Sequence, residues 1–266
     1  MSLFTKAIQP LILLGMGIPL LADIPSAPQK IQQGITLFKS KQFQRSFTLL
    51  EPYAKQGYPK AQFTIGLLYD MGSIEKTDKR KAVLWYRKAA DQGLPEAEYD
   101  MGVMYSKGEG IEKDLTKALL WYHKSAQHGS KHAMYNLGVA YERGYGTKTN
   151  LSQAIQWYEK AATMQMPKAT YNLASLYYHG SKVPKDIKKA FSLYRQASDL
   201  GHIEAAFTLG YMLENGLGTT KNLDKAKYWY KEAAINGHKN ARKNLGFVLQ
   251  KEGKADEANY WLKRAD

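Results

Sequence analysis

Residues 137–162 read LGVAYERGYGTKTNLSQAIQWYEKAA, and the same pattern returns every 36 residues along the chain. The leading Leu137-Gly138 has counterparts at Ile65-Gly66, Met101-Gly102, Leu173-Ala174, Leu209-Gly210 and Leu245-Gly246. A fixed period of that length marks a stack of small identical units, each touching only its neighbours.

One unit holds two helices. Ala97, Met101, Gly102 and Tyr105 fall at i, i+4, i+5 and i+8, the apolar stripe of an amphipathic helix. Gly108 then supplies a helix C-cap, and Gly72, Gly144, Gly180 and Gly216 take the same place elsewhere. A second loop glycine follows at Gly110, Gly146 and Gly218. Asp78, Asp114, Asn150, Asp186 and Asn222 open the second helix; their short side chains suit an N-cap. That helix carries Trp85-Tyr86, Trp121-Tyr122, Trp157-Tyr158, Leu193-Tyr194 and Trp229-Tyr230, each followed by a pair of small residues such as Ala161-Ala162. The small residues let helices approach closely, and the tryptophan is expected to fill the gap between them. Gly93, Gly129, Gly201 and Gly237 end the helix, whereas the fourth unit has Gln165 there.

These landmarks predict an all-α solenoid of about seven antiparallel helix pairs. Full repeats are expected at 61–93, 97–129, 133–165, 169–201 and 205–237, with a short first pair at 31–57 and a short last pair at 241–266. The N-terminus differs. Ile8 to Leu21 is apolar behind the single charge of Lys6, and Ala22 is a small residue suited to signal-peptidase cleavage. Residues 1–22 are therefore expected to be a secretory signal, with a linker at 23–30 and no membrane span after cleavage. That places the mature chain outside the cytoplasm, in the periplasm or secreted; an uncleaved anchor in the inner membrane is the alternative.

The chain has no cysteine, which excludes disulfides, thiolate metal sites and cysteine nucleophiles. Its net charge of +14 favours anionic partners. The charge is spread over every repeat, and no dense Arg/Lys block with interleaved aromatics suggests nucleic-acid binding.

The run Leu137-Gly138-x-x-Tyr141-x-x-Gly144-x-Gly146, then Asn150-x-x-x-Ala154-x-x-Trp157-Tyr158-x-Lys160-Ala161-Ala162, resembles the Sel1-like repeat, a relative of the tetratricopeptide repeat. The resemblance covers residues 31–266. It implies a right-handed superhelix used as a non-enzymatic adaptor for other proteins, often exported in bacteria. One branch of the family carries a disulfide in each repeat; this chain departs from it completely, so that branch's association with β-lactams is not carried over.

Little in the chain suggests catalysis. Ser73-Ile74-Glu75-Lys76 matches the Ser-x-x-Lys pattern of penicillin-recognising enzymes without its partner motifs. It supports only the alternative of a cell-wall enzyme or a saccharide- or β-lactam-binding protein. His128 and His132 flank a helix break at Gly129, and His202 and His238 occupy one repeat position, so neither pair predicts a metal site. No cofactor is expected. The candidate working surface is a second stripe on the first helix of each pair, expected to line a concave groove. It carries Phe63, Tyr99, Tyr135, Tyr171 and Phe207, beside Thr64, Asp100, Asn136, Asn172, Thr208 and Asn244. Inter-repeat packing is the competing role for the aromatic ladder. The family's tetratricopeptide relatives bind peptides at matching positions; here the match is good at Asn136, Asn172 and Asn244 and poor at Asp100. Lys60 and Lys168 lie next to the stripe, where they suit an acidic peptide or a terminal carboxylate.

Overall fold

The computed structural model describes residues 26–181 and 183–265; the expected signal segment 1–22 lies outside them. Among the described residues there are fourteen helices and no strand. They form seven pairs. The first is α1 (Ala27–Lys39) with α2 (Phe43–Lys55), and the second is α3 (Pro59–Asp70) with α4 (Lys79–Ala90). Next come α5 (Pro95–Lys107) with α6 (Leu115–Gln127), and α7 (Lys131–Arg143) with α8 (Leu151–Thr163). Then follow α9 (Pro167–His179) with α10 (Ile187–Asp199), α11 (Ile203–Asn215) with α12 (Leu223–Ile235), and α13 (Lys239–Lys251) with α14 (Ala255–Leu262).

From α3 to α13, each odd-numbered helix starts two residues before the repeat boundary expected from the sequence. Pro59, Pro95 and Pro167 stand at the first helical position, where a missing N–H costs nothing. The helix α1 likewise begins at Ala27, inside the stretch expected to be a linker. Ser26 caps it in a capping box with Gln29, and Pro28 fits the first turn.

The second helix of each full pair is capped as expected. Asp78, Asp114, Asn150, Asp186 and Asn222 each accept the backbone N–H three residues on. Their own N–H groups donate back to the preceding helix at Tyr69, Tyr105, Tyr141, Tyr177 and Leu213, at 2.8–3.0 Å. One residue therefore holds both helices of the pair at a fixed angle.

The core departs from expectation in one respect. In three of the four Trp-Tyr pairs the tyrosine, not the tryptophan, fills the gap between helices; Trp121 and Tyr122 are both buried. Tyr86, Tyr158 and Tyr230 are fully buried, whereas Trp85, Trp157 and Trp229 are half-buried. Ala154, Tyr158 and Ala161 fall at i, i+4 and i+7, one face of α8. Trp157 sits at its edge, with the Lys160 ammonium 4.2 Å from its ring centre. The tyrosine ring lies flat on the backbone of the partner helix. A Cβ at Gly66 would come within 2.6 Å of Tyr86, and one at Gly210 within 2.7 Å of Tyr230. That close approach favours glycine in the leading pairs; Ala174, buried in one cluster with Tyr194, is the one member of the series that carries a Cβ. Truncating so buried an aromatic costs about 3–5 kcal/mol.

Gln165 ends α8 with φ 56°, doing in left-handed backbone what Gly93 and Gly129 do elsewhere. Two neighbouring pairs of odd-numbered helices, α1 with α3 and α7 with α9, also meet directly, which puts the odd-numbered helices on the tighter, inner side of the array.

Candidate functional site

Three recesses lie along the inner wall. The first, about 370 Å³, spans α1, α3 and the start of α5, and is lined by Ile35, Phe38, Lys60, Phe63, Thr64, Leu67 and Glu96 among others. The second, about 340 Å³, lies between α5, α6 and α7, with Tyr99, Val103, Lys107, Tyr122, Asn136, Val139 and Tyr145 in its lining. The third, about 380 Å³, joins α11 to α13 through Tyr211, Glu214, Asn244, Phe247 and Lys251. The rings of Tyr211 and Phe247 are 42% and 51% exposed, so apolar surface faces solvent at this end of the groove.

The expected site residues share this face and divide into two kinds. The aromatic ladder is half-buried. Phe63, Tyr99, Tyr135, Tyr171 and Phe207 pack on Tyr86, Tyr122, Tyr158, Tyr194 and Tyr230 of their own repeats, with ring centres 5.6–6.2 Å apart. Several also reach the next repeat. Tyr171 stacks on His202 at 4.5 Å and Phe207 on His238 at 4.3 Å, while Tyr99 meets His132 at 5.8 Å. Each such ring thus holds consecutive repeats in register and is left half-buried on this face. His202 and His238 are N-caps, accepting through Nδ1 from the N–H groups of Ala205 and Ala241. Burial holds the His202 imidazole below its usual range.

The asparagines are tied to the same framework. Asn172 donates to the Tyr158 hydroxyl and Asn244 to that of Tyr230, both at 3.2 Å. Those hydroxyls in turn donate to Glu142 at 2.8 Å and Glu214 at 2.7 Å. Burial pushes both tyrosines far above their ordinary range, so they remain proton donors. Asn136 lies within hydrogen-bonding reach of Tyr122 and Tyr99. Thr64 and Thr208 bond back to carbonyls one turn earlier, at Lys60 and Glu204. The row expected to grip a peptide backbone therefore has part of its hydrogen-bonding capacity committed within the protein. Lys60 and Lys168 are exposed, and Lys60 lines the first recess.

Asp100 is the exception in the row. Burial first, then the carboxylates of Asp70 and Glu96, push its carboxyl up to about 7, against a weaker opposing pull from Lys107.

Sequence reasoning missed the row one turn further on: Leu67, Val103, Val139, Ser175, Tyr211 and Phe247, also at 36-residue steps. Shifting the asparagine row by three residues would have found it.

The sites set aside on sequence are elsewhere. Ser73 and Lys76 lie in the α3–α4 loop rather than on a helical turn. His128 holds the buried Glu98 carboxylate at 2.7 Å and plays the part that Gln92 plays toward Gln62 one repeat earlier. Among the described residues no three His, Asp or Glu side chains gather as a metal site, and no helix is long and apolar enough to cross a membrane.

The Sel1 repeat pattern matches five consecutive stretches, residues 59–94, 95–130, 131–166, 167–202 and 203–238. No curated protein matches the chain. Among solved structures, a Sel1 repeat protein from Oxalobacter formigenes is 33% identical, with a TM-score of 0.81 over 88% of this chain and 98% of that one. The protective antigen c5321 of uropathogenic Escherichia coli, described as having an SLR fold, is 27% identical with a TM-score of 0.85 over 90% of this chain and 53% of that one. Period, helix pairing, caps and buried tyrosines thus agree with both likenesses: the fold is the right-handed α-solenoid, and the chain belongs to the Sel1 repeat family.

Proposed function

We propose that this protein is a non-enzymatic docking scaffold that holds a segment of another protein along the wall formed by its odd-numbered helices. Sel1 repeat proteins in general mediate contacts between proteins. The observation that carries the reading here is the continuous inner wall, with recesses of about 340–380 Å³ at both ends and between. A rigid floor suits docking, because little is left to order when a partner arrives. The floor is rigid here because the ladder rings and asparagines are fixed by their own tyrosines. Tyr99, Tyr135, Tyr171, Phe207, Asn136, Asn172 and Asn244 contribute edges and remaining acceptors, and Val103, Tyr211 and Phe247 supply the apolar contact.

The partner is a protein or peptide met outside the cytoplasm, following removal of residues 1–22. The support for export is the apolar run before Ala22. N-terminal sequencing of the mature chain should begin at Asp23; a chain retaining Met1 or Ser2 overturns the cleavage.

The docking reading is tested by co-purification from the native cell. A Val103→Arg/Tyr211→Ala/Phe247→Ala variant should lose the protein that the unaltered chain retains, by tenfold or more. A Leu84→Ala/Leu120→Ala variant on the outer face should retain it. The reverse pattern rejects the groove.

A further inference from the structure

The second recess is open because of one short side chain. Glu142 and Glu214 share a repeat position, and each accepts the tyrosine hydroxyl of its own repeat, Tyr158 at 2.8 Å and Tyr230 at 2.7 Å. Tyr178 takes that position in the fifth repeat, with its ring centre 6.0 Å from that of Tyr194. In the third repeat the residue is Ser106. Its hydroxyl is turned back on the Val103 carbonyl at 2.8 Å, and the Tyr122 hydroxyl reaches it only at 3.4 Å, long for an O–H donor. The rest of the arrangement is kept. Asn136 stands beside the Tyr122 hydroxyl as Asn172 and Asn244 stand beside Tyr158 and Tyr230. Space that a glutamate side chain takes up elsewhere is free here, and Ser106, Tyr122 and Asn136 all line the recess of about 340 Å³.

The third repeat therefore has the tyrosine and the asparagine of this arrangement without the carboxylate. The walls suit a short methylene chain ending in one. Val103 and Val139 supply apolar surface, and the buried Tyr122 supplies an O–H with no close acceptor. Lys107 adds positive charge to the lining. It meets Glu109 at 3.6 Å, whereas Lys79 holds Glu109 more closely, at 3.1 Å. Tyr145, 46% exposed in the same lining, is within hydrogen-bonding reach of the Arg143 guanidinium. Among the described residues no acidic side chain lines the recess.

We propose that this recess is the seat of a glutamate side chain of the docked segment, whose carboxylate accepts the Tyr122 O–H in the way that Glu142 and Glu214 accept those of Tyr158 and Tyr230. This rests on the inner wall being the docking face. The Lys107 ammonium turns from Glu109 to the incoming carboxylate and balances its charge. Charge-assisted bonds of this kind are roughly twice as strong as neutral ones. What two other repeats supply from within the chain, the partner supplies here, and the groove selects an acidic residue at this point.

The probe is N-acetylglutamate N-methylamide, with the glutamine analogue as its neutral counterpart. Each is titrated into isotope-labelled protein and followed by NMR at the Asn136 side-chain amide and the Lys107 backbone amide. At pH 6 the ligand is ionised, and the nearby Asp100 carboxyl, pushed up to about 7, is still largely protonated. The glutamate compound should give a saturable change, and the glutamine compound should bind about tenfold more weakly. Tyr122→Phe, which keeps the ring, should weaken the glutamate compound by a similar factor. Ser106→Glu should abolish its binding by supplying the carboxylate internally; the variant is expected to fold, because glutamate holds this place at 142 and 214. No saturable change, equal binding of the two compounds, or undiminished binding in Ser106→Glu overturns the proposal. A native partner that is lost by the Val103→Arg/Tyr211→Ala/Phe247→Ala variant but retained by Ser106→Glu overturns it too, and leaves the docking groove standing.

Discussion

Replacing Asp100 with asparagine should make one junction of the array more stable, and by an amount that grows with pH. Moving a carboxyl from its ordinary 3.8 to about 7 costs the ionised form about 4 kcal/mol, at 1.36 kcal/mol per pH unit. Asp100 is half-buried, and water and Lys107 relieve part of that cost, so about 2 kcal/mol is the working figure. Between about pH 4 and pH 7 the unfolded chain has released this proton and the native chain still holds it. Native binding of more protons means that stability falls as pH rises through that window. Asparagine removes the fall and offers Tyr86 an N–H donor, worth about 1 kcal/mol more. The variant should therefore match the unaltered chain at pH 4, where the protonated carboxyl is itself a donor, and exceed it by about 3 kcal/mol at pH 8. Repeat arrays open locally, so a global unfolding midpoint would blur the effect. Amide hydrogen exchange in α4 and α5, corrected for the intrinsic pH dependence, reads the junction itself. A difference between the two proteins that does not change with pH, or that shrinks as pH rises, refutes the reasoning.

Three further outcomes follow from the packing. Gly138→Val should cost about 3 kcal/mol by urea denaturation, because a branched side chain there meets the Tyr158 ring; the same change at Gly129, where no atom lies within 4 Å, should act through backbone strain alone. Gln165→Gly should stabilise the array by about 1 kcal/mol, since φ 56° is strained for glutamine and free for glycine. His202→Ser should keep the cap and remove a pH dependence. Burial depresses the His202 imidazole, with Glu204 pulling it up and Lys168 pushing it down. Its contribution is full above about pH 6.5 and is lost as pH falls further, so the unaltered chain should lose stability relative to the variant between pH 7.5 and pH 5, read by amide exchange in α11.

Most of the fold was legible because a helix pair leaves marks at each of its ends. Asp114 and Asn150 cap as expected, and Gly108 and Gly144 take the left-handed backbone that ends a helix. What sequence misjudged was orientation within a helix. Trp157 and Tyr158 are adjacent, and residue type favours burying the tryptophan. The spacing of Ala154, Tyr158 and Ala161 decides for tyrosine, and that spacing was there to be read. The start of α1 was hidden for another reason: Pro25 and Pro28 suggest a linker, yet a proline is compatible with a first turn. The groove was only half visible. Aromatic residues at 36-residue steps signal a shared face, but whether a ring shows its edge or its surface depends on what the next repeat stacks against it, such as His202 on Tyr171. Asp100 was read as a poor match to the asparagine row, and it proved the most distinctive residue on the wall.

The docking face itself is tested most directly by placing a photo-crosslinking amino acid at Val139 on the inner wall and, separately, at Gln156 on the outer face, in the native cell. Val139 should yield one discrete crosslinked species, and Gln156 none. A discrete species from Gln156 with nothing from Val139 would contradict the assignment of the odd-numbered helices as the working surface.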